Sequence, residues 1–422
     1  GGDGFAKLAW SPYVIAERTR NWLSSLYWLE GTHSETISGV AGSSFAEQVA
    51  FLADNLEYHL QGNHLLQNLC GLSVAACLLG GRAAERIRGE AVRRLVKVAE
   101  EQILADGMHE ERSFAYHVKA LEDLLDVLVL AEHGAFGAAG WQAPDALNRL
   151  RRCVARMAGA VASTWETAGA LPLMNDTQQV APVLVQWVIS EASARAGLLR
   201  PSPTERRVGS GYLAGRIGDW AVVFDAGAPG PDHQMGHAHA DHLSFELWHR
   251  GRKLVSDAGN FGYEDSQRRR WYRSTAAHNT IRIDGQDSLE LWSCFRVGRR
   301  PNRHVCDVCC WDSSVCWSGE HDGYRHLGGC PVHKRCLCAS GRAVWVLDHV
   351  AGSGLHLVES FLHFDPGVEI QGGPLVGAEW LKGIALAGDR IDARLLERSC
   401  RSPWRWHFRE AGGQGRGGLV VG

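Results

Sequence analysis

Arg200-Pro-Ser-Pro-Thr-Glu-Arg-Arg207 separates two parts of the sequence that follow different hydrophobic periods. Its two prolines disfavour regular structure, so we interpret the segment as a linker. Before it, apolar residues recur at steps of three and four, and after it they alternate or form short runs. Helices followed by strands, rather than alternating with them, indicate two segregated domains, which we predict at 1–203 and 204–422.

Length and charge narrow the possible functions. The chain has 422 residues, of which 45% are hydrophobic, and this is more than one core usually holds. Its 44 Lys and Arg against 47 Asp and Glu leave a net charge of -3. The electrostatic field of so small a net charge does not attract nucleic acid, so we expect no nucleic-acid partner. No apolar run is long enough to span a membrane, and an anionic ligand would need a local basic patch.

The first part predicts helices joined by short loops. Ser44-x-x-Glu47 has the pattern of a capping box at the start of the first of them. Because no sequence repeat is evident, we favour a toroid of helix pairs over a regular solenoid. The predicted helices cover about 44–60, 63–79, 82–104, 118–128, 147–157 and 181–196.

The second part predicts a β-sandwich. Two turn signals, His249-Arg-Gly-Arg252 and Asp284-Gly285, interrupt its apolar runs. The predicted strands include 220–225, 243–248, 253–257, 278–284, 343–350 and 355–364.

A histidine-rich segment, Gly236-His-Ala-His-Ala-Asp241, comes just before one of these strands. Residues two apart share a face of a strand, so His237, His239 and Asp241 would point together. A polar turn is the simpler reading for one histidine, but this density favours a site. Asp257 and His278 lie at later strand ends and would complete a His/Asp/His set that suits zinc. The alternative is that His278 only caps its strand.

Polar clusters also mark helix starts in the first part. Gly62-Asn63-His64 opens one helix, and Tyr116 lies among Glu, Arg and His residues ahead of another. A tyrosine there usually belongs to a core or its rim, and a functional role is about equally favoured. Asn175-Asp176 is a similar but weaker signal.

The cysteines have several interpretations. Cys306-x-x-Cys309 resembles half of a zinc ribbon, yet no second pair follows. Cys336 and Cys338 are two apart and would share a strand face. We interpret the cluster first as ordinary buried thiols of a β domain, with a disulfide second and a metal site third.

In combination, these motifs resemble the heparinase II/III family of polysaccharide lyases. The resemblance implies an α+β multidomain fold, with an incomplete helical (α/α) toroid followed by an antiparallel β-sandwich. It also implies cleavage of a uronic-acid-containing acidic polysaccharide by β-elimination, which leaves an unsaturated uronate end. The matching segments are 62–64, 106–107, 111–117, 175–176, 225–227, 237–241, 257–259, 273–280, 295–296 and 321–324.

The resemblance also implies roles for individual residues. Tyr116 resembles the catalytic tyrosine, and His237 resembles the second catalytic residue. Asn63 and His64 fall where the family binds and neutralises the substrate carboxylate. The expected ligands of one structural zinc are His239, Asp257 and His278.

The expected substrate contacts are Arg112, Asn175, Arg270, Trp271 and Arg273. Arg268-Arg-Arg-Trp-Tyr-Arg273 places four arginines around two aromatics. Guanidinium groups match carboxylate or sulfate oxygens, and the aromatics would stack on sugars. We therefore expect a loop that lines the cleft and holds an anionic chain; the alternative is a solvated turn.

Two other functions remain open. One is a zinc-dependent glycan hydrolase, and the other is a non-catalytic carbohydrate-binding protein of an exopolysaccharide pathway. No signal peptide is visible, and the sequence opens on Gly1. We expect a bacterial protein that is periplasmic or secreted.

Overall fold

A computed structural model describes residues 8–29, 34–136, 145–311, 314–366, 368, 383–387, 390–392, 404–410 and 419–421. The chain divides into two compact units. A helical unit comprises Gly1–Glu110, Tyr116–Gly159 and Val183–Leu199. A second unit comprises Glu111–Ala115, Ala160–Pro182 and Arg200–Gly422, so two short segments from the first half of the chain belong to it.

Seven helices are described before residue 200. They are α1 Pro12–Leu29, α2 Ser34–Asp54, α3 Gly62–Ala76, α4 Gly81–Gln102, α5 Phe114–Glu132, α6 Ala146–Ala168 and α7 Pro182–Ala196.

The first four helices share a core that contains Ile15, Phe45, Leu72 and Ala91. Helices α1 and α3 approach closely at Gly71, where an added Cβ would lie 2.7 Å from the Cβ of Ala16. The period of three and four residues therefore predicted the helical character of this part correctly, although α1 was missed.

The predicted capping box at Ser44 is wrong. Helix α2 begins ten residues earlier, at Ser34, so Ser44 lies inside it. The hydroxyl of Ser44 accepts a hydrogen bond from Gln48 at 3.1 Å instead of capping backbone amides. The helix also ends at Asp54, before the last apolar positions of the pattern.

The segment interpreted as a linker contains a short helix, α8 Pro203–Val208. Its capping box is real. The hydroxyl of Ser202 accepts from the backbone N–H of Glu205, whose carboxylate accepts from the N–H of Ser202 at 2.7 Å. Proline at the first helical position is compatible with this, because that position needs no N–H donor.

Sixteen strands are described in the second unit. They are β1 Tyr212–Ile217, β2 Trp220–Asp225, β3 Phe245–His249, β4 Arg252–Val255, β5 Ile281–Ile283, β6 Leu291–Trp292, β7 Arg296–Val297, β8 His304–Trp311, β9 Ser314–His321, β10 Val332–Ser340, β11 Val344–Ala351, β12 Val358–Phe364, β13 Gly383–Ala387, β14 Arg390–Asp392, β15 Trp404–Glu410 and β16 Leu419–Val421.

Two large sheets pack face to face. One has the order β1-β2-β3-β4-β12-β15-β16 with β5 beside β12, and the other has the order β14-β13-β11-β10-β9-β8. Their common core joins Val222 and Phe224 of the first sheet to Trp317 and Leu337 of the second. This is the predicted sandwich, with the difference that β12 and β15 pair in parallel.

Both predicted turns are confirmed. Arg250 and Gly251 have φ of 53° and 77°, and Asp284 and Gly285 have φ of 51° and 67°. Two successive residues with positive φ form the tight turn whose twist matches that of the flanking strands.

The cysteines differ in part from the first interpretation. Cys316 of β9 and Cys338 of β10 are joined by a disulfide. Cys336 and Cys338 share one face of β10, as predicted, because they are two residues apart on a strand.

Among the described residues, no helix combines the length and the apolar character that a membrane span requires.

Candidate active site

The carboxylate of Asp176 connects several polar residues of the second unit. It lies 3.0 Å from Nδ1 of His237 and 2.8 Å from Nε2 of His239. Arg269 adds a bidentate ion pair, with its NH2 nitrogen 2.7 Å from Oδ2. The predicted convergence of His237 and His239 is therefore present, but a loop and a shared carboxylate produce it rather than one face of a strand.

Asn175 holds this arrangement in place. Its φ of 55° is a left-handed conformation that asparagine tolerates better than most residues. Its side-chain oxygen accepts from the N–H of His239 at 3.0 Å, and its own N–H donates to Asp241 at 3.2 Å. Asn175 is fully buried, and its contacts position the loop that carries His237 and His239, called the histidine loop below. It was expected to contact the substrate, but in the structure it contacts this loop instead.

Electrostatics favour a charged pair at this point. Burial alone would raise the pKa of Asp176, but His237, His239 and Arg269 outweigh it and hold that pKa well below its usual range. Burial would lower the pKa of His237, but the hydrogen bond to Asp176 and the charge of Glu111 raise it. The Glu111 carboxylate lies 4.0 Å from Nε2 of His237. An imidazole that a carboxylate orients in this way can take or give a proton.

His239 and His278 form a second pair. Their ring centroids are 5.2 Å apart, and both rings are buried. Nδ1 of His239 and Nε2 of His278 have no hydrogen-bond partner among the described residues. The opposite nitrogens are held by carboxylates, His239 by Asp176 and His278 by Asp257 at 2.9 Å. Each ring is thus fixed with one nitrogen available.

Asp257 is hydrogen-bonded to Nδ1 of His278, whereas Nε2 of the same ring has no partner among the described residues. Asp257 also accepts from the hydroxyl of Ser244 at 3.2 Å and from the N–H of Gly259 at 3.1 Å. Within the part of the chain that the structure describes, no three His, Cys, Asp or Glu side chains are grouped so as to hold a metal ion. Of the three predicted zinc ligands, His239 and His278 thus each keep one unpartnered nitrogen, whereas the Asp257 carboxylate is hydrogen-bonded to Nδ1 of His278.

Arg112 was expected to contact the substrate, and the structure contradicts this. The residue is 3% exposed, and its guanidinium pairs with the carboxylate of Asp225 and donates to the carbonyl of Ala228. It also lies 4.6 Å from the ring centroid of Tyr212. Its charge is neutralised inside the second unit, where it anchors the segment that carries Glu111.

The segment Arg268–Arg273 is a helix rather than the expected loop. Helix α9 Gln267–Arg273 is capped by the hydroxyl of Ser266, which accepts from the N–H of Arg269. Arg273 is buried and donates to the carbonyl of Ala238 at 3.0 Å, so it supports the histidine loop instead of contacting a substrate. Arg269 is likewise committed to Asp176.

The exposed side of α9 agrees better with the expected role in binding an anionic chain. The side chain of Arg270 is 62% exposed, 3.6 Å from Asp265. Arg268 lies over the exposed ring of Phe261, and Trp271 is half-buried. Helical spacing explains why neighbouring arginines in one run have opposite environments.

An aromatic pair missing from the predicted contacts lies beside His237. The Tyr263 ring is 6.2 Å from the His237 ring and stacks on Phe295 at 5.7 Å. Phe295 is 47% exposed. Phe295 belongs to one of the segments that carry the family resemblance. Tyr263 lies shortly after Asp257, in a stretch with no motif that could have identified it.

In the helical unit, Asn63 and His64 open α3 after two residues with positive φ, Gln61 and Gly62. Asn63 is buried, and Nδ1 of His64 lies 3.3 Å from the carboxylate of Glu57. Burial would raise the pKa of Glu57, but His64 and Asn68 hold it below its usual range. Glu57 was missed because it lies in a loop without any motif.

Tyr116 lies in the first turn of α5 and is half-buried. The adjacent His117 is fully buried, where its Nδ1 accepts from the N–H of His109 at 3.0 Å and its Nε2 donates to the carbonyl of Met157 at 3.1 Å. Burial and the nearby His109 lower the pKa of His117 to about 3. A neutral core histidine therefore fixes the helix turn that carries Tyr116.

Comparison with known proteins gives the fold and the family. A crystal structure of heparinase III matches with a TM-score of 0.65 and 20% identity, over 82% of this chain and 56% of that one. A mutant of heparan sulfate lyase HepC from Pedobacter heparinus matches with a TM-score of 0.59 and 19% identity, over 82% and 55%. This likeness confirms the α+β fold class, a helical toroid followed by an antiparallel β-sandwich.

Two curated relatives carry the name heparin-sulfate lyase. The one from Bacteroides thetaiotaomicron is 24% identical over 58% of this chain and 39% of its own length. The one from Pedobacter heparinus is 23% identical over 67% and 45%. The chain thus spans less than half the length of these relatives.

Family models cover both halves of the sequence. Residues 6–190 match the heparinase II/III N-terminus, and residues 200–416 match the heparinase II/III-like C-terminal region. The chain belongs to the heparinase II/III family.

Proposed function

We propose that the chain is a polysaccharide lyase that cleaves a uronic-acid-containing polysaccharide of the heparan type by β-elimination. The observation that carries this is the His237–Asp176 pair, in which a buried carboxylate orients an imidazole beside Glu111. The names of the curated relatives support the substrate class.

β-Elimination removes the C5 proton of a uronate and expels the oxygen at C4. That proton is weakly acidic while the neighbouring carboxylate is charged, so donors to the carboxylate lower the barrier. We assign this role to Asn63 and His64 on the family resemblance. Tyr116 protonates the leaving oxygen and also acts as base in a syn elimination. His237 is the base for the opposite epimer, and Asp176 stabilises the imidazolium that forms.

Aromatic and cationic side chains of the second unit support a sugar-binding role. Phe261, Trp292 and Phe295 are about half exposed, and arginines accompany the first two, Arg268 over Phe261 and Arg296 over Trp292. Aromatic faces pack on sugar rings, while guanidinium groups bind carboxylate or sulfate oxygens.

We further propose one structural zinc ion in the second unit. The two buried nitrogens without partners, Nδ1 of His239 and Nε2 of His278, suit a metal that takes neutral imidazole. The two rings are neighbours, with centroids 5.2 Å apart, so one ion could take a nitrogen from each. Asp176 and Asp257 then hold the opposite ring nitrogens, as carboxylates do at zinc sites. The family resemblance implies Asp257 as the third ligand, whereas in the structure its carboxylate is occupied by Nδ1 of His278 at 2.9 Å.

The test of function is product chemistry. The purified chain is incubated with heparan-type, alginate-type and bacterial exopolysaccharide substrates, and ultraviolet absorbance of an unsaturated uronate end is followed. Loss of the signal in His237→Gln on the uronate epimer for which His237 is the base, with His233→Gln active as the exposed control on the same segment, supports the proposal. Saturated products would favour the hydrolase, and binding without turnover would favour the carbohydrate-binding protein.

We infer a periplasmic or secreted location, because polysaccharides of this kind lie outside the cytoplasm. The curated relatives are bacterial.

A further inference from the structure

Three cysteines form a row across neighbouring strands of the second sheet. Cys309 of β8 is the register partner of Cys316 of β9, and Cys316 is the partner of Cys338 of β10. The adjacent residues Val308, Trp317 and Leu337 face the sandwich core. Because successive side chains alternate between faces, the three sulfurs lie together on the face away from that core.

Strand geometry allows Cys316 to pair on either side. Its Cα lies 4.1 Å from that of Cys338, which identifies the closely spaced type of antiparallel pair. The peptide groups of Cys316 then point toward β8, so Cys309 and Cys316 form the widely spaced type, with Cα atoms about 5.5 Å apart. That spacing is also within the range of disulfides, about 4.4–6.8 Å.

The thiols around the disulfide differ in access. Cys309 is a free, exposed thiol, whereas Cys316 is 9% exposed. Cys336, two residues before Cys338, is half-buried, and burial, Asp348 and Cys309 raise its pKa. Thiolates are the attacking species in disulfide exchange. Cys309 is therefore the thiol of this row that a soluble thiol can reach most easily.

We propose that Cys309, Cys316 and Cys338 form a thiol–disulfide exchange site that accepts low-molecular-weight thiols of the glutathione class. The Cys309 thiolate attacks Sγ of Cys316, the Cys309–Cys316 bond forms, and Cys338 leaves as a thiolate that takes a proton from water. A soluble thiolate then attacks Sγ of Cys309, giving a mixed disulfide there and releasing Cys316. No outside oxidant is consumed in either step.

A thiolate metal site is the competing use of these residues. Three sulfurs in a straight row across a sheet do not surround a common point, as tetrahedral zinc requires. Among the described residues, these cysteines do not lie close enough around one point to hold a metal ion. Zinc that protects these thiols from alkylation is therefore an outcome that overturns the proposal.

The test maps disulfides in the whole chain after oxidation with glutathione disulfide and alkylation without reduction. In Cys338→Ser we expect a Cys309–Cys316 crosslink. Cys310→Ser is the matched control, because Cys310 is exposed and adjacent but on the other face of β8. It should keep the Cys316–Cys338 crosslink.

A second readout uses Cys309→Ser, which leaves the original disulfide intact. In the unchanged chain, glutathione should be found on Cys309, and reduction of Cys316–Cys338 should be several-fold faster than in Cys309→Ser. Full alkylation of both Cys309 and Cys316 in Cys338→Ser, or equal reduction rates in the chains with and without Cys309, would contradict the exchange site. Lyase activity is not part of either readout.

Discussion

The Asp176 carboxylate lies 2.8 Å from Nε2 of His239, on the side of the ring opposite the nitrogen that has no partner among the described residues. This contact fixes the tautomer, so that Nδ1 carries a lone pair. The same carboxylate orients His237. One buried acid thus links a proposed catalytic residue to a proposed metal ligand.

Asp176→Asn should disturb both functions. The change leaves Arg269 charged and buried without its anion, which costs about 3–5 kcal/mol of stability. It should also weaken zinc affinity by about 10–100-fold, as for other residues that orient metal ligands. Denaturant unfolding and elemental analysis measure the two effects.

Asp348→Asn is the control for that experiment. Asp348 is a buried carboxylate of the same unit, paired with Arg335 and His333. The Asp348→Asn protein should lose a similar amount of stability but keep its zinc. Equal zinc content in both variants would separate Asp176 from the metal.

Removing zinc should unfold the second unit at a lower temperature. Metal ties together two segments, those of His239 and His278, that are distant in the sequence, so its binding energy adds to folding stability. Chelation should therefore lower the melting temperature together with activity. Activity that disappears without a change in melting temperature would support a catalytic metal instead. Asp257→Asn tests the proposed third ligand. Loss of a ligand should remove zinc, whereas loss of a carboxylate that only orients His278 should weaken zinc affinity by about 10–100-fold.

The strands and turns could be predicted because their signals are local. Trp220–Asp225 is found at its predicted bounds, and the turn at Arg250-Gly251 was indicated by its glycine, which accepts positive φ. Helix ends were less predictable. The pattern Ser44-x-x-Glu47 is compatible with a cap, but the packing of a longer helix α2 overrides it.

The site could be predicted only in part. Its histidines are dense in the sequence, and this density indicated a site. The partners of the arginines are not visible there, since Arg112 pairs with Asp225 across 113 positions and Arg269 pairs with Asp176 across 93. A sequence cannot distinguish an arginine that binds a substrate from one that neutralises a buried carboxylate of its own chain.

Tyr116→Phe should reduce turnover by about a hundredfold or more, because it deletes the oxygen that transfers the proton. The ring and the helix turn remain, so the protein should still fold, which the melting temperature checks. Initial rates at saturating substrate measure the effect. Tyr58→Phe, at an exposed tyrosine of the helical unit, is the control and should keep its activity. Normal turnover in Tyr116→Phe would remove the tyrosine from the mechanism.

Acid should destabilise the helical unit through His117. Its pKa is about 3 in the folded chain against 6.5 in the unfolded chain, so the unfolded state binds the extra proton first. The stability is intact above about pH 6.5 and is lost as pH falls toward about 3, with about 2 kcal/mol lost by about pH 5. His117→Asn should lower stability at neutral pH and lose less of it on acidification.

Denaturant unfolding at two pH values checks this slope. The difference between the two proteins measures the contribution of His117 together with its coupling to the nearby His109. His133→Asn, at an exposed histidine just after α5, should keep the full pH dependence. Parallel curves for His117→Asn and the unchanged chain would show that His117 is not the group responsible.

Arg269 and Arg270 provide the sharpest comparison, because two neighbouring arginines of α9 are expected to act differently. Arg269→Gln removes the bidentate partner of the buried Asp176 carboxylate and leaves it with His237 and His239, so stability should fall by up to about 3 kcal/mol. Arg270→Gln alters a side chain that is 62% exposed and should leave stability nearly unchanged. Its effect should instead be a higher KM with kcat little affected, as for a group that binds substrate and transition state alike. The salt dependence of the rate should also flatten, because one exposed charge that attracts the anionic chain is gone. If Arg270→Gln keeps its KM and salt profile, α9 does not capture the polysaccharide, and the solvated alternative holds for its exposed face.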